Sequence, residues 1–328
     1  MSKILITGAN GFVGTNLVKK LLTEGHIVRC LVHRNSDSLK NLPIEIFNGS
    51  ITSPDTLPEA VKNIDFVIHS AGILRAMEVK TFFDVNQAGT ANLIETVYKH
   101  NPGIKRFIYI SSQAAMGPSK DLNLKDPASA CEPVSNYGKS KYMGELEVLK
   151  FKNKFPVTIL RPAAIYGPHD KDMFAFFQMI KTGIFPILSG DRDSRIQLCF
   201  INDLIEICRI ILKKDQLKSS IYFLSETRDY TWQEVAEKIG IIMGKKPFCF
   251  ILPSWLVHFI ALTAENLSYF FKREASPFNT DKANEFCQKY WLGDPSSAEE
   301  ELQYTFTSLE SGAKITYNWY LNNKWLRE

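Results

Sequence analysis

The sequence predicts an α/β protein built on a doubly wound parallel sheet. Three observations predict it. An apolar run over Lys3 to Thr7, short enough for one buried strand, breaks into Gly8-Ala9-Asn10-Gly11-Phe12-Val13-Gly14. An apolar-periodic helix follows at once, carried by Phe12, Val13, Leu17, Val18, Leu21 and Leu22. Strand signals then recur over 27–32, 44–48, 65–70, 106–111 and 156–161, with helical patterns over 55–61, 80–100 and 137–154 between them. That alternation calls for parallel strands with crossover helices on both faces.

The first turn has the character of an anion cradle. A helix start carries unpaired N–H groups and the positive end of the macrodipole, and glycines admit a pyrophosphate without collision with a Cβ. A strand before and a helix after supply the context that a glycine triplet needs to indicate a dinucleotide site. The second strand ends in Val32-His33-Arg34, with no acid. A carboxylate there binds the ribose 2′-hydroxyl of NAD, whereas an arginine suits the 2′-phosphate of NADP. NADP is therefore expected ahead of NAD, through Arg34.

Ligands of such sheets bind at the carboxyl ends of the strands. The residues there are His69-Ser70-Ala71-Gly72, Ser111-Ser112 and Arg161-Pro162. After the Ser111-Ser112 strand comes Tyr137-Gly138-Lys139-Ser140-Lys141, whose Tyr137 and Lys141 stand four apart on one helix face. An ammonium near a phenol favours the phenolate and lowers its pKa from about 10. Ser112 is placed to donate a hydrogen bond to an oxygen that becomes negative. The same spacing at Tyr320 and Lys324 follows no such strand and is read as a surface helix.

Composition excludes several classes. The 328 residues carry a net charge of +4 from 39 basic and 35 acidic residues, with no basic run of the kind that grips nucleic acid. Cys30, Cys131, Cys199, Cys208, Cys249 and Cys287 form no Cys-x-x-Cys pair, and the six histidines show no ligand spacing, so no metal site is expected. Free thiols and a beginning that reads as a strand instead of an export signal point to the cytoplasm.

Together Thr7 to Gly14, His69 to Gly72, Val85-Asn86-Gln87-Ala88-Gly89-Thr90, Tyr109 to Ser112, Tyr137 to Lys141, Arg161 to Pro168 and Phe200 to Leu204 resemble the extended short-chain dehydrogenase/reductases, the NAD(P)-dependent epimerase/dehydratase family. The resemblance covers nearly the whole chain, and the branch most resembled is that of dihydroflavonol 4-reductase-like and 3β-hydroxysteroid dehydrogenase-like proteins. It implies a Rossmann-type domain over 1–166, with returning segments around 196–225, and a smaller, mostly helical substrate domain over 167–328. It also implies a Tyr137 acid/base, a Lys141 that binds the nicotinamide ribose and lowers the tyrosine pKa, and Ser112 as the third catalytic residue. Cofactor contacts carry over to Gly8, Asn10, Gly11, Phe12, Val13, Gly14, His33, Arg34, Ser50, Ile51, Ser70, Ala71, Gly72, Asn86, Tyr137, Lys141, Pro162, Ala164 and Ile165. Where dehydratases of this family have an Asp-Glu pair after the serine, this chain has Gln113-Ala114, which removes the carboxylates that dehydration needs. The resemblance further suggests a homodimer through the helices over 80–100 and 137–154.

In the C-terminal part, Phe174, Phe176, Phe177, Met179, Ile180, Phe185 and Ile187 fall where such proteins line the substrate cleft. The segment 248–271 is unusually apolar but interrupted, too short of the roughly 20 continuous apolar residues of a membrane span. It is read as a buried helix, the alternatives being a lid over a lipid-like substrate or a membrane-surface segment. Arg192 and Arg195 are either a diphosphate clamp or solvated loop residues. The leading expectation is an NADP-dependent oxidoreductase that interconverts a carbonyl and a secondary alcohol on a largely apolar small molecule, ring systems included. An NAD-dependent nucleotide-sugar epimerase is the second reading and a non-catalytic NADP sensor the third.

Overall fold

A computed structural model describes residues 1–33, 37–271 and 275–326 of the chain. Its centre is a sheet of β1 (Lys3–Thr7), β2 (Ile27–Val32), β3 (Glu45–Asn48), β4 (Phe66–His69), β5 (Arg106–Ile110), β6 (Val157–Pro162) and a seventh strand, Ile221–Leu224. Their spatial order is β3-β2-β1-β4-β5-β6 and then Ile221–Leu224, with every neighbouring pair parallel. The chain works outward from β1 to β3 and resumes on the other side at β4. That reversal opens a crevice beyond the carboxyl ends of β1 and β4, where parallel sheets take their ligands.

Both faces of the sheet are covered, because alternate residues of each strand point to opposite sides. Ile4, Ile6, Val28 and Cys30 pack with Leu17, Val18 and Leu21 of α1 (Phe12–Thr23). Leu5, Leu31, Val67 and Phe107 face the other way, onto Leu93, Ile94 and Val97 of the helix Gly89–His100. The helical pattern expected over 80–100 is not one regular helix. Val79–Phe83 and Gly89–His100 flank a π-helical turn, Asp84–Ala88. Such turns insert a residue into the helical ladder and recur at functional sites.

The C-terminal part corrects three expectations. Phe177, Ile180, Phe185 and Ile187 belong to the large core, while Phe176 stacks on Trp232 with ring centroids 5.2 Å apart, so much of the run packs inward and leaves Phe174, Phe176 and Met179 partly exposed. Tyr320 is fully buried, not on a surface helix, and its hydroxyl donates to the Asp170 carbonyl at 2.9 Å. The segment 248–271 contains the helix Ser254–Phe270, of which only Val257 and Ala261 are buried. It is no core helix. Among the described residues no helix is long and apolar enough to cross a membrane.

One carboxylate fastens the returning segment. Asp203, buried in the helix Ile201–Leu212, accepts hydrogen bonds from the Tyr304 hydroxyl at 2.8 Å and from the Thr307 amide and hydroxyl at 2.9 and 2.6 Å. Burial raises its pKa while these donors lower it, so the carboxylate depends on all three. Asp203→Ala leaves those donors unmatched and should cost about 2–4 kcal/mol. Denaturant melts read this directly, and a loss near zero would mean that the 304–307 link is held by packing alone.

Candidate active site

The glycine turn is built by crowding. Gly8 has φ +68°, and a Cβ there would stand 2.7 Å from the Ala71 amide nitrogen at the end of β4. A Cβ on Gly14 would overlap the Gly8 carbonyl, so α1 starts hard against the turn. No side chain caps that start, and no acidic residue lies in its first turn. Its positive end is thereby left to an anion. Ser70 donates to the Thr7 carbonyl at 2.8 Å, which locks the β4 end beside the turn.

A hydrogen-bonded chain runs from this turn to the second half of the site. Thr90 donates to the Asn86 carbonyl at 2.8 Å and so accepts from His69 Nε2 at 2.9 Å; His69 Nδ1 in turn accepts from the Thr7 hydroxyl at 2.7 Å. Burial first, and the charge of Lys141 second, push the His69 pKa down to about 3, so this imidazole is a neutral bridge. Asn86, in the π-helical turn, donates to Ser140 Oγ at 2.9 Å, and Ser140 donates to the Tyr137 carbonyl at 2.8 Å. Asn86 also accepts from the Ile73 amide and donates to the Ile73 carbonyl, at 2.9 and 3.0 Å. It therefore fixes the loop after Gly72.

Tyr137 and Lys141 lie on the helix Asn136–Leu149, with Glu145 four residues further along the same face. Ser112 ends the β5 region as the N-cap of the short helix Gln113–Met116, its Oγ accepting from the Ala114 amide at 3.1 Å. Its own proton remains to donate, and its hydroxyl beside the Tyr137 phenol lowers that group's pKa. Burial outweighs this, so the phenol sits above its usual range. Lys141 Nζ donates to the Ile110 carbonyl at 2.8 Å and stands 4.1 Å from the centroid of the Tyr109 ring. Desolvation drives its pKa down to about 7, against a raising contribution from Glu145. Gly72 lies beside it: a Cβ there would be 3.8 Å from Lys141 Nζ and 3.0 Å from Asn86 Oδ1.

Ser111 and Ser112 divide their duties. Ser111 is buried and donates to Glu145 Oε1 at 2.5 Å, and Glu145 also holds Arg161 in a buried, two-point ion pair at 2.6 and 2.9 Å. Their 137, 141, 145 spacing was the one available signal for Glu145. Asp281 gave none. Its carboxylate accepts from the Asn136 and Tyr137 amides at 2.6 and 3.0 Å, closing the helix start from the far end of the chain. Ser135 caps the same start, accepting from the Gly138 amide and donating to Glu285 at 2.6 Å.

The remaining sequence-predicted residues fall around the crevice. Val32 is buried and His33 exposed at the end of β2, while Arg34 lies outside the described residues. Ser50 bonds to Thr52, and the Ile51 carbonyl accepts from Asn92 at 2.9 Å. Pro162 ends β6, and Ala164 and Ile165 continue into a short strand, Ala164–Tyr166, paired with Leu198–Phe200. Arg195 forms ion pairs with Asp229 and Glu234, each at 3.5 Å, while Arg192 is exposed.

Lys141 makes stability depend on pH. An unfolded lysine keeps its proton to about pH 10.4, whereas folded Lys141 loses it near 7. Between those values the unfolded chain binds more protons, so stability rises with pH. Lys141→Met removes that dependence. In denaturant melts without cofactor its advantage over the native chain should be about 2–4 kcal/mol near pH 7 and shrink towards about pH 10; a difference constant with pH would show an ammonium in contact with water.

Comparison with known proteins places this geometry. A ceramide reductase of Caulobacter vibrioides is 30% identical over 332 residues, covering 98% of this chain and 96% of its own. A UDP-glucose 4-epimerase of Vibrio cholerae is 29% identical over 263 residues, covering 77% of this chain and 79% of its own. The crystal structure of a Thermotoga maritima UDP-glucose 4-epimerase superposes with a TM-score of 0.79 at 20% identity, over 98% of this chain and 99% of that one. Residues 4–224 match the model of the NAD dependent epimerase/dehydratase family. With its seven-stranded parallel sheet and glycine turn, the chain belongs to that family, the NAD(P)-dependent enzymes of extended short-chain dehydrogenase/reductase type.

Proposed function

We propose that the chain is an NADP-dependent oxidoreductase that interconverts a carbonyl and a secondary alcohol on an apolar, lipid-like substrate. The observation that carries this reading is the convergence of Ser112 on the Tyr137 phenol, with Lys141 one helical turn behind and no carboxylate directly after Ser112. The nicotinamide, when bound, supplies the hydride. In the reducing direction Tyr137 gives its proton to the substrate oxygen, and in the oxidising direction it takes that proton back. With substrate present, Ser112 turns its single hydroxyl proton to that oxygen, while the Ala114 amide donates to one of its lone pairs. Lys141, beside Gly72 and now donating to the Ile110 carbonyl, would hold the ribose of the nicotinamide half.

The glycine turn from Gly8 to Gly14, with Asn10, Phe12 and Val13, holds the pyrophosphate. Ser70, Ala71, Gly72 and Asn86 line the nicotinamide half, with Pro162, Ala164 and Ile165 opposite. His33, Arg34, Ser50 and Ile51 take the adenosine end. Residues after 166 form the substrate side, apart from the strand that returns around 221. The likeness along the whole chain to a protein named for ceramide reduction supports an apolar substrate. A nucleotide-sugar epimerase is the second reading, supported by the Vibrio cholerae relative. A homodimer is read onto the Gly89–His100 and Asn136–Leu149 helices, which expose Tyr98 and Leu146.

Tyr137→Phe should lower kcat by about 10²–10⁴-fold while leaving NADPH affinity within about twofold; retained turnover would sink the acid/base role. Stripped protein should bind NADPH at least about tenfold more tightly than NADH, and Arg34→Ala should erase that roughly 1.4 kcal/mol. Tighter NADH binding, measured calorimetrically, would move the chain to the epimerase reading.

A further inference from the structure

The helix Ser254–Phe270 presents a wide apolar face to solvent. Trp255, Phe259, Leu262, Leu267, Tyr269 and Phe270 are between 49% and 79% exposed. The helix packs through Val257 and Ala261 onto Ala283 of the helix Thr280–Phe286. Its one charged residue, Glu265, is turned inward, accepting from the Thr280 amide and hydroxyl at 3.1 and 2.7 Å. The outward face therefore bears no charge. An ordinary solvated helix carries its charged residues on that side, and monomeric proteins rarely expose so much contiguous apolar surface.

Three features identify what covers it. The face is a broad stripe along one side of the helix, of the kind that enters a deformable apolar layer without needing a matching groove. A tryptophan near its start and a tyrosine near its end are the residues that settle at the headgroup level of a bilayer. The flanking sequence is basic: Lys245 and Lys246, exposed and without an ion pair among the described residues, precede the exposed Phe248, and Lys272-Arg273 follow Phe271 in the sequence. From 241 to 274 the chain has those four basic residues against Glu265 and Glu274. An uncharged aromatic face bordered by cations is the pattern of an interfacial helix on an anionic membrane.

We propose that this helix docks the protein on an anionic phospholipid surface, lying in the headgroup plane with Trp255, Phe259 and Phe270 inserted. The consequence for substrate rests on the oxidoreductase reading: the helix Thr280–Phe286, on which the docking helix sits, holds the start of the Tyr137 helix through Asp281. The docking helix is thus linked to the Tyr137 helix through one intervening helix, and the substrate is an amphiphile taken from the bilayer.

Flotation of the full chain, without cofactor or substrate, tests docking alone. The protein should rise with phosphatidylglycerol-containing vesicles, far less with phosphatidylcholine alone, and detach in high salt. Combined Trp255→Ser, Phe259→Ser and Phe270→Ser should reduce the bound fraction by at least about tenfold, with NADPH binding retained as the check on folding. Lys245→Glu with Lys246→Glu should abolish the anionic preference. Failure of the native chain to float, equal flotation of the serine variant, or a concentration-dependent dimer that the serine variant loses would overturn the proposal, the last by assigning the face to a second copy. Turnover separates the two readings: the serine variant should lose activity on a long-chain ketone held in vesicles and keep it on a short water-soluble one, whereas vesicle binding with no hydride transfer on either would sink the oxidoreductase reading and leave docking intact.

Discussion

Thr7 is the residue on which the crevice depends. Its hydroxyl donates to His69 and accepts from the Ala71 amide, while its carbonyl takes Ser70. From there an unbroken run of donors and acceptors passes through His69, Thr90, Asn86 and Ser140 to the Tyr137 carbonyl. Each link is buried or half-buried, so each carries the full penalty of an unmatched polar group if broken. The glycine turn and the tyrosine helix come from opposite halves of the sheet, and this run fixes their separation. Gly8 makes it possible by letting the β1 and β4 ends approach to contact.

A second polar cluster sets the orientation of the same helix from beneath. Glu145, on the face shared by Tyr137 and Lys141, is held by Ser111 and Arg161, and its charge opposes the desolvation of Lys141. Arg161 also reaches the Pro127 carbonyl at 2.7 Å, which ties the loop before the helix to the last strand of the first half. A buried ion pair of this kind adds little net stability, and breaking one side of it strands a charge. Here it gives the helix face a single rotational setting.

The parts legible in the sequence were those whose cause is local. A glycine with positive φ, a run of apolar residues and a four-residue spacing are written within a few positions, so β1 to β6, the first turn and the Tyr137–Lys141 pair could be read directly. Asp281 could not, because it is 145 residues from the amide of Asn136 that it satisfies. The π-helical turn also escaped, since one inserted residue leaves the apolar period on either side intact. Ser254–Phe270 and Tyr320 show a different limit. Apolar composition records that a side chain avoids water, and it does not say whether the protein or something else provides the shelter.

The closure of the Tyr137 helix by Asp281 bears on how the chain divides. The stretch that matches the family model ends at residue 224, yet the amides that begin its central helix are satisfied by a carboxylate beyond that limit. The recognisable portion and the cooperative folding unit are therefore different lengths of chain. Cut at the end of the match, the nucleotide-binding half would retain its sheet and glycine turn but carry a frayed helix at the point where the chemistry is read out. The C-terminal part thus completes a helix that the N-terminal half begins.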